Sequence, residues 1–169
     1  ENIVKFAAEG NIQTNQDAFL AELQKVPGVV NAAYTFHNIV GRKYSDGLDW
    51  PGKDPNEDAY FEVFGVSQNF TETMKMQISS GRSFSKDFGM DSLNIIINET
   101  AAKLMKLKDP IGATVSFHGT NRQVIGVVRD FHFESMHNPI NPVIIQCRPD
   151  WTWLFYVRTD GKNTQQTIA

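Results

Sequence analysis

The chain has a single cysteine, Cys147, among 169 residues. No intrachain disulfide can form, and one cysteine is compatible with a reducing cytoplasm or a periplasm alike. No run approaches the roughly 18 apolar residues of a membrane-spanning helix. The 16 basic residues are scattered against 19 acidic ones, for a net charge of -3. That balance provides no basic stripe for phosphate neutralisation, which argues against nucleic-acid binding. A Gly-x-Ser-x-Gly elbow is missing, as is a phosphate-cradling Gly-x-x-x-x-Gly-Lys-Ser/Thr loop, so neither serine hydrolysis nor ATP hydrolysis by this chain alone is expected. Internal repeats, heptads and low-complexity tracts are also lacking.

What is present is ordinary globular material, 41% hydrophobic and 21% charged. A chain of this length buries roughly two-thirds of its unfolded surface and needs no metal or disulfide to fold. It opens on Glu1 without an initiator methionine or signal peptide. It closes on Thr164-Gln-Gln-Thr-Ile-Ala169, which reads as the first turn of a helix. Both ends are therefore expected to be boundaries within a longer chain.

Ile3, Val4 and Phe6 predict a first strand. Thr14, with Asp17 three residues on, reads as a capping-box variant opening a helix whose face is Phe19, Leu20, Leu23 and Val26. Pro27-Gly28 ends it, and Val29 to Phe36 is rich in β-branched and aromatic residues, giving a split or parallel β-α-β unit. Residues 37–57 carry Gly41, Gly47, Pro51, Gly52 and Pro55 and read as a long loop, a kind usually functional or mobile. Strands follow at Tyr60–Val66, Leu93–Ile97, Thr114–Phe117, Gln123–Arg129, Val143–Gln146 and Trp153–Arg158, with short helices around Asn69–Met74 and after a capping Asn98. Leu93 to Ile97 is apolar enough to be buried on both faces. Pro110 and Gly112 turn the chain out of the second of these helices. The fold class is α+β, with the middle of the chain inserted between Phe36 and Trp153.

Candidate chemistry is sparse. Asp130, His132 and Glu134 share one face if extended, with His137 nearby, a donor set suited to zinc. The plainer reading, an exposed polar edge beneath the buried Phe131 and Phe133, is favoured. Asp46, Asp49, Asp54, Glu57 and Asp58 lack the alternating ligands and fixed glycine of a calcium loop and read as a solvated acidic loop. Cys147 carries no catalytic signature and reads as a small core residue. Trp153, beside Leu154 and Phe155, is expected in the core. Trp50, among polar turn residues, is the candidate partner contact. Arg82, fixed between Gly81 and Phe84, has two readings: a guanidinium holding Asp130 or Glu99 across a lobe boundary, or an exposed turn arginine worth about 0–1 kcal/mol.

Several segments follow one another in a set order: Pro27-Gly-Val29, Asn69-Phe70, Gly81-Arg-Ser-Phe-Ser85, Ile95-Ile-Ile-Asn-Glu99, Asp109-Pro-Ile-Gly112 and Val124-Ile-Gly-Val-Val-Arg-Asp-Phe131. In that order the chain resembles the MacB-like periplasmic core domain of ABC transporter permeases of the MacB/FtsX superfamily. His132-Phe-Glu-Ser-Met-His137 followed by Pro142 is similar to its large-permease branch. The resemblance implies a non-catalytic, cofactor-free extracytoplasmic domain at the periplasmic face of the inner membrane, carried between two transmembrane helices. It implies a porter-like lobe of β-α-β units, residues 1–36 plus 150–169, and an inserted, strand-rich distal lobe, residues 37–149. It further implies a separate ATPase subunit, a permease dimer, a candidate periplasmic partner protein and a role in export or mechanotransmission. A periplasmic ligand-binding or sensor module, using the 37–57 loop and Trp50, is the alternative.

Overall fold

The structure is a computed structural model that describes residues 2–41, 44–88, 91–133, 139–148 and 153–161. Its strands are β1 (Ile3–Ala7), β2 (Val29–Thr35), β3 (Ser45–Gly47), β4 (Tyr60–Val66), β5 (Ile78–Gly81), β6 (Asn94–Asn98), β7 (Thr114–Phe117), β8 (Thr120–Val128), β9 (Val143–Cys147) and β10 (Leu154–Thr159). The helices are α1 (Gln16–Leu23), α2 (Phe70–Thr73) and α3 (Glu99–Leu104). All ten strands join one mixed sheet in the order β1-β10-β2-β4-β9-β6-β8-β5, with β3 flanking β4 and β7 flanking β8. This is the α+β mixed sheet expected from the sequence.

The first β-α-β unit is split. β10 lies between β1 and β2 and pairs antiparallel with both, Phe6 opposite Phe155 and Phe155 opposite Tyr34. The first and last of these strands therefore share one sheet, with Ile3 opposite Arg158. The apolar stripe of α1 closes over this unit. Phe19 meets Phe155 edge-on at 5.1 Å, while Phe6 stacks on Phe155 at 5.5 Å and meets Phe19 edge-on at 6.2 Å, geometries that aromatic quadrupoles favour.

Strand β6 shows why an uninterrupted apolar run belongs in the middle of a sheet. Ile95 and Ile97 face a core containing Phe61, Val124 and Ile144. Ile96 faces the opposite core, with Phe64, Ile125 and Ile145. β8 runs parallel to β6 on one side and β9 antiparallel on the other. Asn98 ends the strand and caps α3: its Oδ1 accepts from the Ala101 amide at 3.0 Å and from the Val143 amide at 2.9 Å.

Four expectations are corrected. The N-cap of α1 is Asn15 and no side chain caps it; the Thr14 hydroxyl instead donates to the Asn11 carbonyl of the 3-10 turn at Gly10–Ile12. The 37–57 loop contains β3 and a bridge between Asp49 and Ser116, which pin it to the sheet. Because alternate residues of an extended segment point the same way, Leu48 and Trp50 both enter the core below. Trp153, expected inside, is 54% exposed, held by its main chain rather than its ring.

The sheet is thinnest at one seam. β2 and β4 share a single registered pair, Thr35 opposite Val66, supplemented by bonds from the Phe36 amide to the Gly65 carbonyl and from the Ser67 amide to the Tyr34 carbonyl. One core nevertheless runs beneath the seam, joining Ala33 and Tyr156 to Phe64, Val66 and Ile145.

Candidate functional site

Two facing glycines build the most constrained site. Gly81 ends β5 opposite Gly126 of β8, and the strands come close enough that the Arg82 amide donates to the Ile125 carbonyl at 2.9 Å. A Cβ on Gly126 would meet the Arg82 carbonyl oxygen at 2.3 Å. Gly81 has φ +72, and a Cβ there would stand 2.2 Å from the Ile125 carbonyl oxygen. Only a residue without a side chain allows this crossing.

The crossing aims Arg82 at Asp91. Its Nη1 and Nη2 donate to the Asp91 carboxylate at 3.0 and 2.8 Å, a bidentate fork, and Nη1 also donates to the Ser83 carbonyl. The Ser85 amide at 2.7 Å and the Asn94 amide group at 2.9 Å complete the carboxylate's shell. The Asp91 side chain is fully buried, and the exposed Phe88 ring lies 4.1 Å from the guanidinium carbon. Burial by itself would raise the Asp91 pKa, but the Arg82, Ser85 and Asn94 bonds outweigh it and hold it below the ordinary carboxylate value. The Asp91 bonds hold Arg82 above its own ordinary value, against a smaller opposing effect of burial.

Arg82 is thus an anchored cation rather than a loose turn residue, but its partner is neither Asp130 nor Glu99. Asp130 accepts from the Thr100 amide at 2.9 Å and the Thr100 hydroxyl at 2.8 Å, tying the exit of β8 to the first turn of α3. Glu99 accepts from the Asp130 amide. The backbone needs of that helix start outweigh the distant charge. Asp91 was missed because nothing in the sequence marks it, apart from its place directly before a strand too apolar to leave a carboxylate unpaired.

Trp50 is not at a contact surface. It is 7% exposed, edge-on to Phe61 at 5.8 Å and covered by the Lys53 ammonium at 5.1 Å. Among the described residues, no group of three or more His, Cys, Asp or Glu could hold a metal; Glu134 and His137 lie outside those residues. In β3, Asp46 accepts from the Tyr44 hydroxyl and lies 2.8 Å from His118 Nε2. The Tyr44 hydrogen bond is the chief reason that Asp46 has a lowered pKa.

A continuous mixed sheet with adjacent first and last strands, braced by the Arg82–Asp91 ion pair, is the arrangement that defines this class of protein. The sequence profile of the MacB-like periplasmic core domain matches residues 2–169, and the chain belongs to that family, whose members are domains of ABC transporter permeases. The fold is similar to the periplasmic region of MacB from Actinobacillus actinomycetemcomitans, with a TM-score of 0.65 at 15% identity, covering 95% of this chain and 75% of that one. It is also similar to the extracellular domain of the noncanonic ABC-type transporter YknZ from Gram-positive bacteria. That TM-score is 0.65 at 17% identity, covering 98% and 88%. No curated protein matches the chain in sequence. Among the described residues, no helix is long and apolar enough to cross a membrane.

Proposed function

We propose that this domain stands at the periplasmic face of an inner membrane and works without catalysis. In this reading it passes ATP-driven movement of permease helices to the periplasm and contacts substrate or a partner protein during export. A separate ATPase subunit supplies the drive, and the permease acts as a dimer. The observation that carries the reading is the pairing of β1 with β10 in a family of permease domains: Thr159 donates to the Asn2 carbonyl at 2.8 Å, so segments entering β1 and leaving β10 lie together. Helices attached there would move one edge of the sheet.

The thin β2–β4 seam supports a division into a membrane-proximal lobe, residues 1–36 plus 150–169, and a distal lobe, residues 37–149. A hinge needs a few residues that absorb motion between stiffer bodies. The Arg82–Asp91 clamp stiffens the distal body, and the shared core under the seam would pass displacement across.

Two measurements test this. Val30 is 60% exposed and Cys147 only 3%. In the complete gene product, Val30→Cys should react with a membrane-impermeant maleimide on spheroplasts, in cells with the outer membrane removed. Reaction only after lysis would refute the extracytoplasmic placement. Thr35 and Val66 are directly opposed on antiparallel strands, with Cα atoms about 5 Å apart, inside disulfide range. An oxidised Thr35→Cys/Val66→Cys protein should keep ATP hydrolysis by the partner subunit yet lose transport, and regain it on reduction. Unchanged transport by fully crosslinked protein would sink the relay.

A further inference from the structure

The distal sheet has a recess of about 300 Å³, lined among others by Tyr44, Phe117, His118, Arg122, Gln146 and Arg148. Two of these side chains carry polar atoms that the fold does not satisfy. Arg122 stands on β8 opposite Val115 and is 8% exposed. Its Nη1 donates to the Ser92 carbonyl at 2.6 Å, while its Nε is buried without a hydrogen-bond partner. Among the described residues no carboxylate pairs with it. Burial chiefly, and then the like charge of Arg148, hold its pKa below the ordinary arginine value. Gln146 stands on β9 opposite Ile95, is 4% exposed, and has its Oε1 buried without a partner.

Alternation places both side chains on one face. Arg122 shares parity with Val124 and Gln146 with Ile144, and both of those residues belong to the core beneath Trp50. Holding the Ser92 carbonyl requires only a neutral donor and does not explain a buried charge. A buried guanidinium without an anion is disfavoured.

We propose that the recess binds a small organic monocarboxylate, with the Arg122 guanidinium as its anchor and the Gln146 side-chain NH2 donating to it as the second polar contact. The guanidinium fork matches a carboxylate, and Arg148 adds positive charge at the same site. Phe117 and Tyr44 give an apolar wall that an inorganic ion would not use. Asp46, bonded to both Tyr44 and His118, sets a negative charge behind two lining residues, which disfavours multivalent anions such as phosphate. The volume lies at the lower end for ligand pockets, so the body of the ligand is small. This site does not depend on the relay proposed above.

The test titrates the isotopically labelled chain with sodium benzoate and, separately, sodium phosphate at matched ionic strength, following the Nε–Hε resonance of Arg122 by NMR. Benzoate should shift it saturably and phosphate should not. Arg122→Met removes an unpaired buried charge, so it should melt no lower than the unaltered protein and bind benzoate about tenfold more weakly or worse. Gln146→Leu should weaken benzoate binding as well. Should Arg122→Met fail to fold, the unaltered chain and Gln146→Leu still decide. Absence of any saturable shift with benzoate would overturn the proposal, leaving a water-filled recess. Phosphate binding as tightly as benzoate would do the same, as would unchanged affinity in both variants.

Discussion

Alanine at Gly126 is expected to destabilise the protein by roughly 3 kcal/mol or more, above the usual range for overpacking because the obstacle is main chain. The added methyl would meet the Arg82 carbonyl oxygen at 2.3 Å, the Arg82 carbonyl carbon at 3.3 Å and Ile96 Cγ1 at 3.4 Å. Arg82 cannot retreat, since its amide is bonded to Ile125 and its guanidinium to Asp91. Urea unfolding should show a lower midpoint with an unchanged slope, and the melting temperature should fall by about 6–12 °C. Gly47→Ala is the control: nothing lies within 4 Å of the added atom, and stability should move by no more than about 0.5 kcal/mol. A Gly126→Ala protein as stable as that control would show that β5 and β8 do not cross as closely as described.

Asp91→Ala is expected to cost roughly 3–5 kcal/mol, the range for breaking a buried ion pair from one side. It removes the acceptor for Arg82, Ser85 and Asn94 together, and strands a half-buried guanidinium. Asp91→Asn keeps the shape and loses the charge, so its cost should be smaller. In the double variant Arg82→Ala/Asp91→Ala the loss should be less than the sum of the singles, which measures the coupling directly. The pH dependence has a definite sign. The folded Asp91 pKa is depressed, so its contribution is present above the ordinary carboxylate value near 4 and is lost as pH falls through the depressed value. Acid unfolding of the native protein should therefore include a component below about pH 4 that Asp91→Asn lacks. Identical acid profiles for the two would remove the carboxylate from its assigned role.

Much of the secondary structure was legible because its signals are local. Tyr60–Val66 and Thr114–Phe117 form strands over the predicted residues, since β-branched and aromatic runs bounded by turns have few alternatives. Asn98 caps α3 as read, because the capping bond spans three residues. β5 was less visible: Ile78-Ser-Ser-Gly81 has little intrinsic strand preference and is ordered by β8. The two tryptophans exchanged places for a similar reason. Neighbour composition suggested an exposed Trp50 and a buried Trp153, whereas burial is set by what the sheet brings opposite each ring.

The spacing of apolar residues already determined the α+β class and the double burial of β6, since periodicity and turn chemistry act over a few residues; the family entered as a resemblance carried by motifs in one order. The tertiary structure alone decided which charges meet. Arg82 chose Asp91 because two glycines let β5 and β8 touch, and Asp130 turned to the start of α3 because unpaired helix amides lay nearer. It alone, too, put Arg122 and Gln146 on one face of the two strands that flank β6, with polar atoms unmatched. Partners for long polar side chains depend on distances across strands, and those distances follow from the packing of the whole sheet.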